Sequence, residues 1–113
     1  MTMTGQNVSI YKGDDKILVV TVKDSSGNIE DISGTTVNYV VYKFTIGNIV
    51  ITKTTSSGIS LTDPTSGIFE ITLIPSDTEN LLGYYLHECE LTDTFGKVST
   101  IFTGKFTVID SKA

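Results

Sequence analysis

Two residues of this chain could do chemistry together: His87 and Cys89, its sole histidine and sole cysteine. A thiol beside an imidazole is the arrangement of a nucleophilic dyad, and the same pair could supply half of a metal site. They stand two apart in Tyr85-Leu86-His87-Glu88-Cys89, a sequence with strand character. On a strand, residues i and i+2 project to the same side, about 6.5–7 Å apart. That is too far for a direct hydrogen bond unless both side chains turn toward each other, and no orienting motif stands nearby. Zinc also needs more ligands than this pair provides, at set spacing. The spacing therefore predicts a structural pair, a buried cysteine with a partly buried histidine.

The carboxylates give the same result. Asp14, Asp15, Asp63, Asp77, Asp93 and Asp110 fall mostly in turn sequences, where loop carboxylates can build a calcium site. None forms the DxDxDG pattern, and aspartate favours turns for its own reasons, because its side chain bonds nearby backbone N–H groups. Glu88 and Glu90 share the face of a strand opposite to His87 and Cys89. Paired carboxylates suggest glycoside hydrolysis, but these alternate with core positions on a plain strand and imply no cleft. No phosphate-binding loop, Ser-His-Asp order or HExxH motif is present. The expectation is a non-enzyme with no catalytic residue, no cofactor and no metal. Tyr11, Tyr42 and Tyr84 remain. They fall out of phase with the inward positions, and exposed tyrosines are enriched at interfaces and carbohydrate sites. These three are the candidate interface residues.

Composition narrows the partners. The net charge is −5, arginine is absent, and the eight lysines are scattered, which argues against nucleic acid, since phosphate binding needs clustered basic residues. One cysteine excludes an internal disulfide; a sandwich without one suits a reducing compartment or an exported assembly that is stable unaided. Residues 1–6 contain no basic region and no apolar run, so they do not read as a signal peptide but as a flexible tail. No apolar stretch approaches the roughly 20 residues of a membrane helix, and no membrane partner is expected.

The elements that must position these residues follow from a regular beat. Short β-branched runs are cut by glycine-centred turns about every 8–12 residues, the pattern of an all-β sandwich or barrel. Strands are expected at 8–11, 16–23, 37–44, 49–54, 59–62, 68–74, 85–91 and 97–109. Leu18, Val20 and Val22 should face inward, as should Val37, Tyr39 and Val41, then Phe69, Ile71 and Leu73, and then Phe102, Phe106 and Val108. Gly104, inside the last strand, suggests a bulge or bend. A hairpin is expected at 45–48, where glycine stands beside asparagine. One short helical turn is expected near 76–82, with Ser76 and Asp77 as N-cap candidates. The fold class is thus all-β: a β-sandwich or barrel of seven to eight mostly antiparallel strands, spanning 7–110 as one domain.

Three segments, taken in order, resemble a known family. The first is Gly13-Asp14-Asp15-Lys16 before an apolar strand, with Asp24-Ser25-Ser26-Gly27-Asn28 and residues 31–37 after it. The second is residues 53–74, containing Ser56-Ser57-Gly58-Ile59-Ser60 and Asp63-Pro64-Thr65-Ser66-Gly67, closed by Pro75-Ser76-Asp77-Thr78. The third is Leu82-Gly83-Tyr84-Tyr85, leading to Glu90-Leu91-Thr92-Asp93, Gly96-Lys97-Val98 and residues 104–108. This order is similar to an immunoglobulin-like module of tailed-phage and prophage structural proteins, among them the N-terminal domain of phage baseplate upper proteins. The resemblance covers residues 7–109. It implies a virion protein of a tail or baseplate, made in the bacterial host cytoplasm, that docks onto other tail subunits or onto itself.

Gly83-Tyr84-Tyr85 would place Tyr85 in a tyrosine corner, with Gly83 beside it as a structural residue. The chain departs from the immunoglobulin pattern in lacking paired cysteines and a core tryptophan, and a receptor-binding role is not expected to carry over from the baseplate proteins. The Ser- and Thr-rich segment 52–60 is a candidate edge for pairing with a partner strand. A carbohydrate-binding or host-adhesion module on the same sandwich is the alternative, resting on Tyr11, Tyr42 and Tyr84.

Overall fold

The structure is a computed structural model, and it describes residues 3–44 and 47–112. Among these, β1 is Val8–Tyr11, β2 Lys16–Thr21, β3 Thr36–Lys43, β4 Ile49–Thr55, β5 Gly58–Asp63, β6 Ile68–Leu73, β7 Gly83–Thr92 and β8 Val98–Ile109. A single 3₁₀ turn occupies Pro64–Ser66 and one helical turn, α1, occupies Pro75–Thr78. The hydrogen-bonded order is β1-β8-β7-β3-β4-β5-β6-β2. β4 and β5 touch over only two residue pairs, Thr54 with Gly58 and Thr55 with Ile59. That short contact is the corner at which the sheet folds over. One layer holds β1, β8, β7, β3 and β4, and the other holds β5, β6 and β2.

The two inner faces close on one core. Val37, Tyr39, Val41, Tyr85, His87, Cys89, Phe106 and Val108 come from the first layer, and Val20, Val22, Ile59, Phe69, Ile71 and Leu73 from the second. Strict alternation in β7 puts Tyr85, His87, Cys89 and Leu91 inside while Glu88 and Glu90 face out, because side chains on a strand change face at every residue. The all-β architecture expected from the beat is the one observed, with the immunoglobulin-like form that the resemblance implies.

Four local expectations need correction. Residues 3–6 are not a free tail. Met3 exchanges backbone hydrogen bonds with β8, donating to Ile101 and accepting from Thr103, and Gln6 N–H donates to Thr103 O at 3.0 Å. Gly104 is not the bulge. That lies at Ile101, since Cys89 stands opposite Phe102 and Glu90 opposite Thr100; both Ile101 and Phe102 are buried as a result. Gly104 instead leaves room for a crossing backbone, because a Cβ there would collide with the Gln6 carbonyl. The helical turn starts earlier than expected. Pro75 opens it at a position where its missing N–H costs nothing, and Asp77 Oδ2 accepts the Ile74 N–H at 2.8 Å. Finally, segment 52–60 is not a free edge: it forms the β4–β5 corner, with Ser56 and Gly58 at positive φ, and the ends of the sheet are β1 and β2. The expected hairpin at 45–48 lies partly outside the described residues; Lys43 N–H donates to Asn48 O across its base.

Candidate interaction surfaces and the buried polar cluster

His87 is a buried polar side chain and faces inward. It is 1% exposed. Its Nδ1 lies 2.7 Å from the Tyr39 hydroxyl and its Nε2 lies 2.5 Å from the Gln6 carbonyl oxygen. A carbonyl only accepts, so Nε2 carries the proton and donates it to Gln6. In the neutral ring Nδ1 then accepts from the Tyr39 hydroxyl. Burial holds the histidine below its ordinary pKa, partly offset by the Gln6 bond, so neutral is the resting state. Burial also raises the Tyr39 phenol far above its usual range. The cluster is fully satisfied: among the described residues no buried side-chain polar atom lacks a partner. Phe102 and Phe106 flank the imidazole, the nearer ring 5.2 Å away edge-on.

Cys89 takes no part in it. Its thiol is fully buried beneath the sheet and is pushed up to about 12, first by desolvation and then by the nearby Glu90 charge. A nucleophile needs the thiolate, which this environment opposes. The histidine uses both ring nitrogens on other partners. The arrangement is therefore a clamp that fixes the N-terminal segment onto the core.

The aspartates are occupied in local backbone work. Asp24 Oδ1 accepts the N–H groups of Ser26 and Asn28, and Asp93 Oδ1 accepts those of Phe95 and Lys97, all at 2.9 Å. These are two copies of one turn, Asp-x-x-Gly-x, each with the glycine N–H returning to the aspartate carbonyl. Asp31 does the same with Ser33, whose side-chain and backbone bonds lower its pKa. Asp77 pairs with Lys53 Nζ at 2.8 Å and ties α1 to β4. Asp63 takes a long bond from the Thr65 hydroxyl, and Asp110 pairs with Lys112 in the open. Asp14 and Asp15 are exposed at the β1–β2 turn. Among the described residues no three metal-ligating side chains gather.

The three tyrosines lie together on one surface. Tyr42 on β3, Tyr84 on β7 and Tyr11 on β1 each alternate with a buried neighbour, so all three project from the outer face of the first layer. Tyr42 stands opposite Leu86, Tyr84 opposite Thr107, and Tyr11 beside Ile109. From strand and residue spacings, the row is diagonal, with Cα separations of about 8 Å and then about 12 Å. Tyr84 is 80% exposed, and Phe44 and Leu82 beside it enlarge the apolar patch. Tyr85 points the other way: its hydroxyl turns back on the Leu82 backbone, 3.3 Å from the N–H and 3.4 Å from the carbonyl, where Gly83 takes a φ of 94°.

A second surface went unread in the sequence. A groove of about 480 Å³ separates the N-terminal segment from β2, with Met3, Gln6 and Val8 on one lip, β2 on the other and Phe102 in its lining. On the β2 side, Ile17 and Val19 are exposed on the outer face. The signal was available: residues 17–22, Ile-Leu-Val-Val-Thr-Val, are apolar at nearly every position, whereas a strand covered on one face alternates.

No protein-family model matches this sequence, and no curated protein matches it. Among solved structures, the crystal structure of CopC from Methylosinus trichosporium OB3b is similar in fold, with a TM-score of 0.52 and 13% identity, covering 93% of this chain and 85% of that one. Fibronectin(III)-like modules of Clostridium thermocellum CbhA are also similar, with a TM-score of 0.47 and 16% identity over 96% of this chain and 92% of that one. At this identity the CopC likeness speaks to fold alone.

Proposed function

We propose that this protein is a structural component of a phage or prophage tail or baseplate, acting by protein–protein docking without catalysis. The observation that carries the reading is the order of turn sequences, above all Ser56-Ser57-Gly58-Ile59-Ser60, Asp63-Pro64-Thr65-Ser66-Gly67 and Leu82-Gly83-Tyr84-Tyr85. Each sits at a corner of the sandwich: the β4–β5 corner, the 3₁₀ turn and the turn into β7. The use of the polar residues supports it. His87, Asp24, Asp77 and Asp93 are engaged in holding the fold, and several of the apolar residues left outside, Tyr11, Ile17, Val19 and Tyr84 among them, lie on strands at faces suited to another protein. Its place would be the virion, and its partners other tail subunits or further copies of itself. The test is co-purification with intact particles: a tagged chain expressed during phage production should be found by mass spectrometry in gradient-purified tails at fixed stoichiometry. Its absence from every purified tail fraction would sink the reading.

A carbohydrate-binding or host-adhesion role is the second reading, and the diagonal of Tyr11, Tyr42 and Tyr84 on one face favours it. It requires glycan binding on an array that Tyr84→Ala removes while the thermal melt is unchanged. A blank array rejects it.

A further inference from the structure

We propose that the free edge of β2 is a self-pairing surface, on which two copies of this chain join β2 to β2 antiparallel about a two-fold axis through Val19. The inference is independent of the tail and glycan readings. It begins with which backbone groups are free. Val22 N–H donates to Gly67 O, and the β2–β6 register continues from there through Val20 with Phe69 and Leu18 with Ile71. In an antiparallel ladder alternate residues turn their N–H and C=O to alternate sides. Even-numbered residues of β2 therefore bond to β6, while Ile17, Val19 and Thr21 present theirs to the open side, where the strand order ends. The same residues carry the outer side chains, and Ile17 is 55% and Val19 63% exposed. An exposed edge with apolar side chains is a template for strand addition.

The occupant follows from the sequence of the edge. A partner strand must set odd residues opposite odd ones, since only those have free backbone groups. Centring the pair on Val19 puts Val19 opposite Val19 of the second copy, Ile17 opposite its Thr21, and exposed Asp15 opposite its exposed Lys23, twice over by symmetry. On the inner side, half-buried Leu18 meets Val20 of the second copy and covers the mouth of the groove beside β2. Sliding the register by two residues either way sets Asp15 against Thr21 or Ser25 and leaves both charges unmatched. The edge is thus complementary to itself, as a two-fold interface requires, and pairing uses it up, so assembly through it stops at two.

Sedimentation velocity over a concentration series tests this, with hydrogen exchange read at single amides. The expected result is a reversible dimer in which the Ile17, Val19 and Thr21 amides gain protection as concentration rises. Val19→Lys places like charges directly opposite each other on the axis and should raise the dissociation constant at least about tenfold. Asp15→Lys or Lys23→Asp alone should weaken the dimer, and the double exchange should restore it. Val19, Asp15 and Lys23 are all exposed, so folding is not at stake, and circular dichroism checks it. A protein that stays monomeric throughout overturns the proposal. So does a dimer indifferent to Val19→Lys, a double exchange no tighter than either single one, or protection appearing on the tyrosine face while β2 stays open.

Discussion

At the scale of single residues, His87 is a neutral imidazole with both nitrogens engaged, and this has measurable consequences. Its folded pKa is depressed, so below the unfolded value, about 6.5, the unfolded chain takes up a proton that the folded chain resists. Stability is intact above that pH and is lost as pH falls toward the folded pKa. Because no other histidine is present, urea melts between pH 7 and pH 5, a window of about two units around the free value, should show a loss that His87→Gln largely removes. Tyr39→Phe leaves Nδ1 buried with no donor and should cost about 1–3 kcal/mol, read from the same melts. Cys89 should stay unlabelled by a thiol reagent in native buffer and react at a rate set by unfolding, since burial holds its thiol at about 12. The phase of His87 and Cys89 was legible because a strand keeps i and i+2 on one side. The partner of His87 was not: it is a backbone carbonyl 81 positions away, and a carbonyl leaves no trace in residue type.

At the scale of elements, most of the sandwich could be read from its punctuation. The strand cores at 68–73 and 85–91 were plain from alternation, and the turns from glycine and aspartate together. What could not be read was pairing. A Ser- and Thr-rich stretch looks like an edge, yet 52–60 folds into a corner because Ser56 and Gly58 both adopt left-handed backbone. The role of Gly104 likewise depends on a segment from the far end of the chain. Gly104→Ala should push the Gln6 backbone off β8, so hydrogen exchange should rise across residues 3–7 while the β2–β6 ladder stays protected. Stability should fall by roughly 1–3 kcal/mol, the usual penalty of overpacking. The matched turns offer an internal control: Asp24→Ala and Asp93→Ala each remove two backbone bonds of the same geometry and should cost about the same, on the order of 1 kcal/mol each, by thermal melt.

At the scale of the whole molecule, the strand order fixes how the two ends of the chain depend on each other. β1 runs parallel to β8, with Val8 beside Phe106 and Tyr11 beside Ile109. Such non-local closure is slow, and refolding from urea should take milliseconds to seconds rather than microseconds. Stopped-flow fluorescence of the tyrosines would measure it. The clamp on Gln6 has a further meaning during synthesis. Residues 3–11 leave the ribosome before the strand they lie on and the glycine that admits them. Until β8 emerges, the His87 ring has no carbonyl to bond and the first layer has no edge for β1. A nascent chain stopped before β8 therefore lacks both the rings that enclose His87, Phe102 and Phe106, and the strand that holds Gln6 against it, and only a chain translated past that point can close its own core.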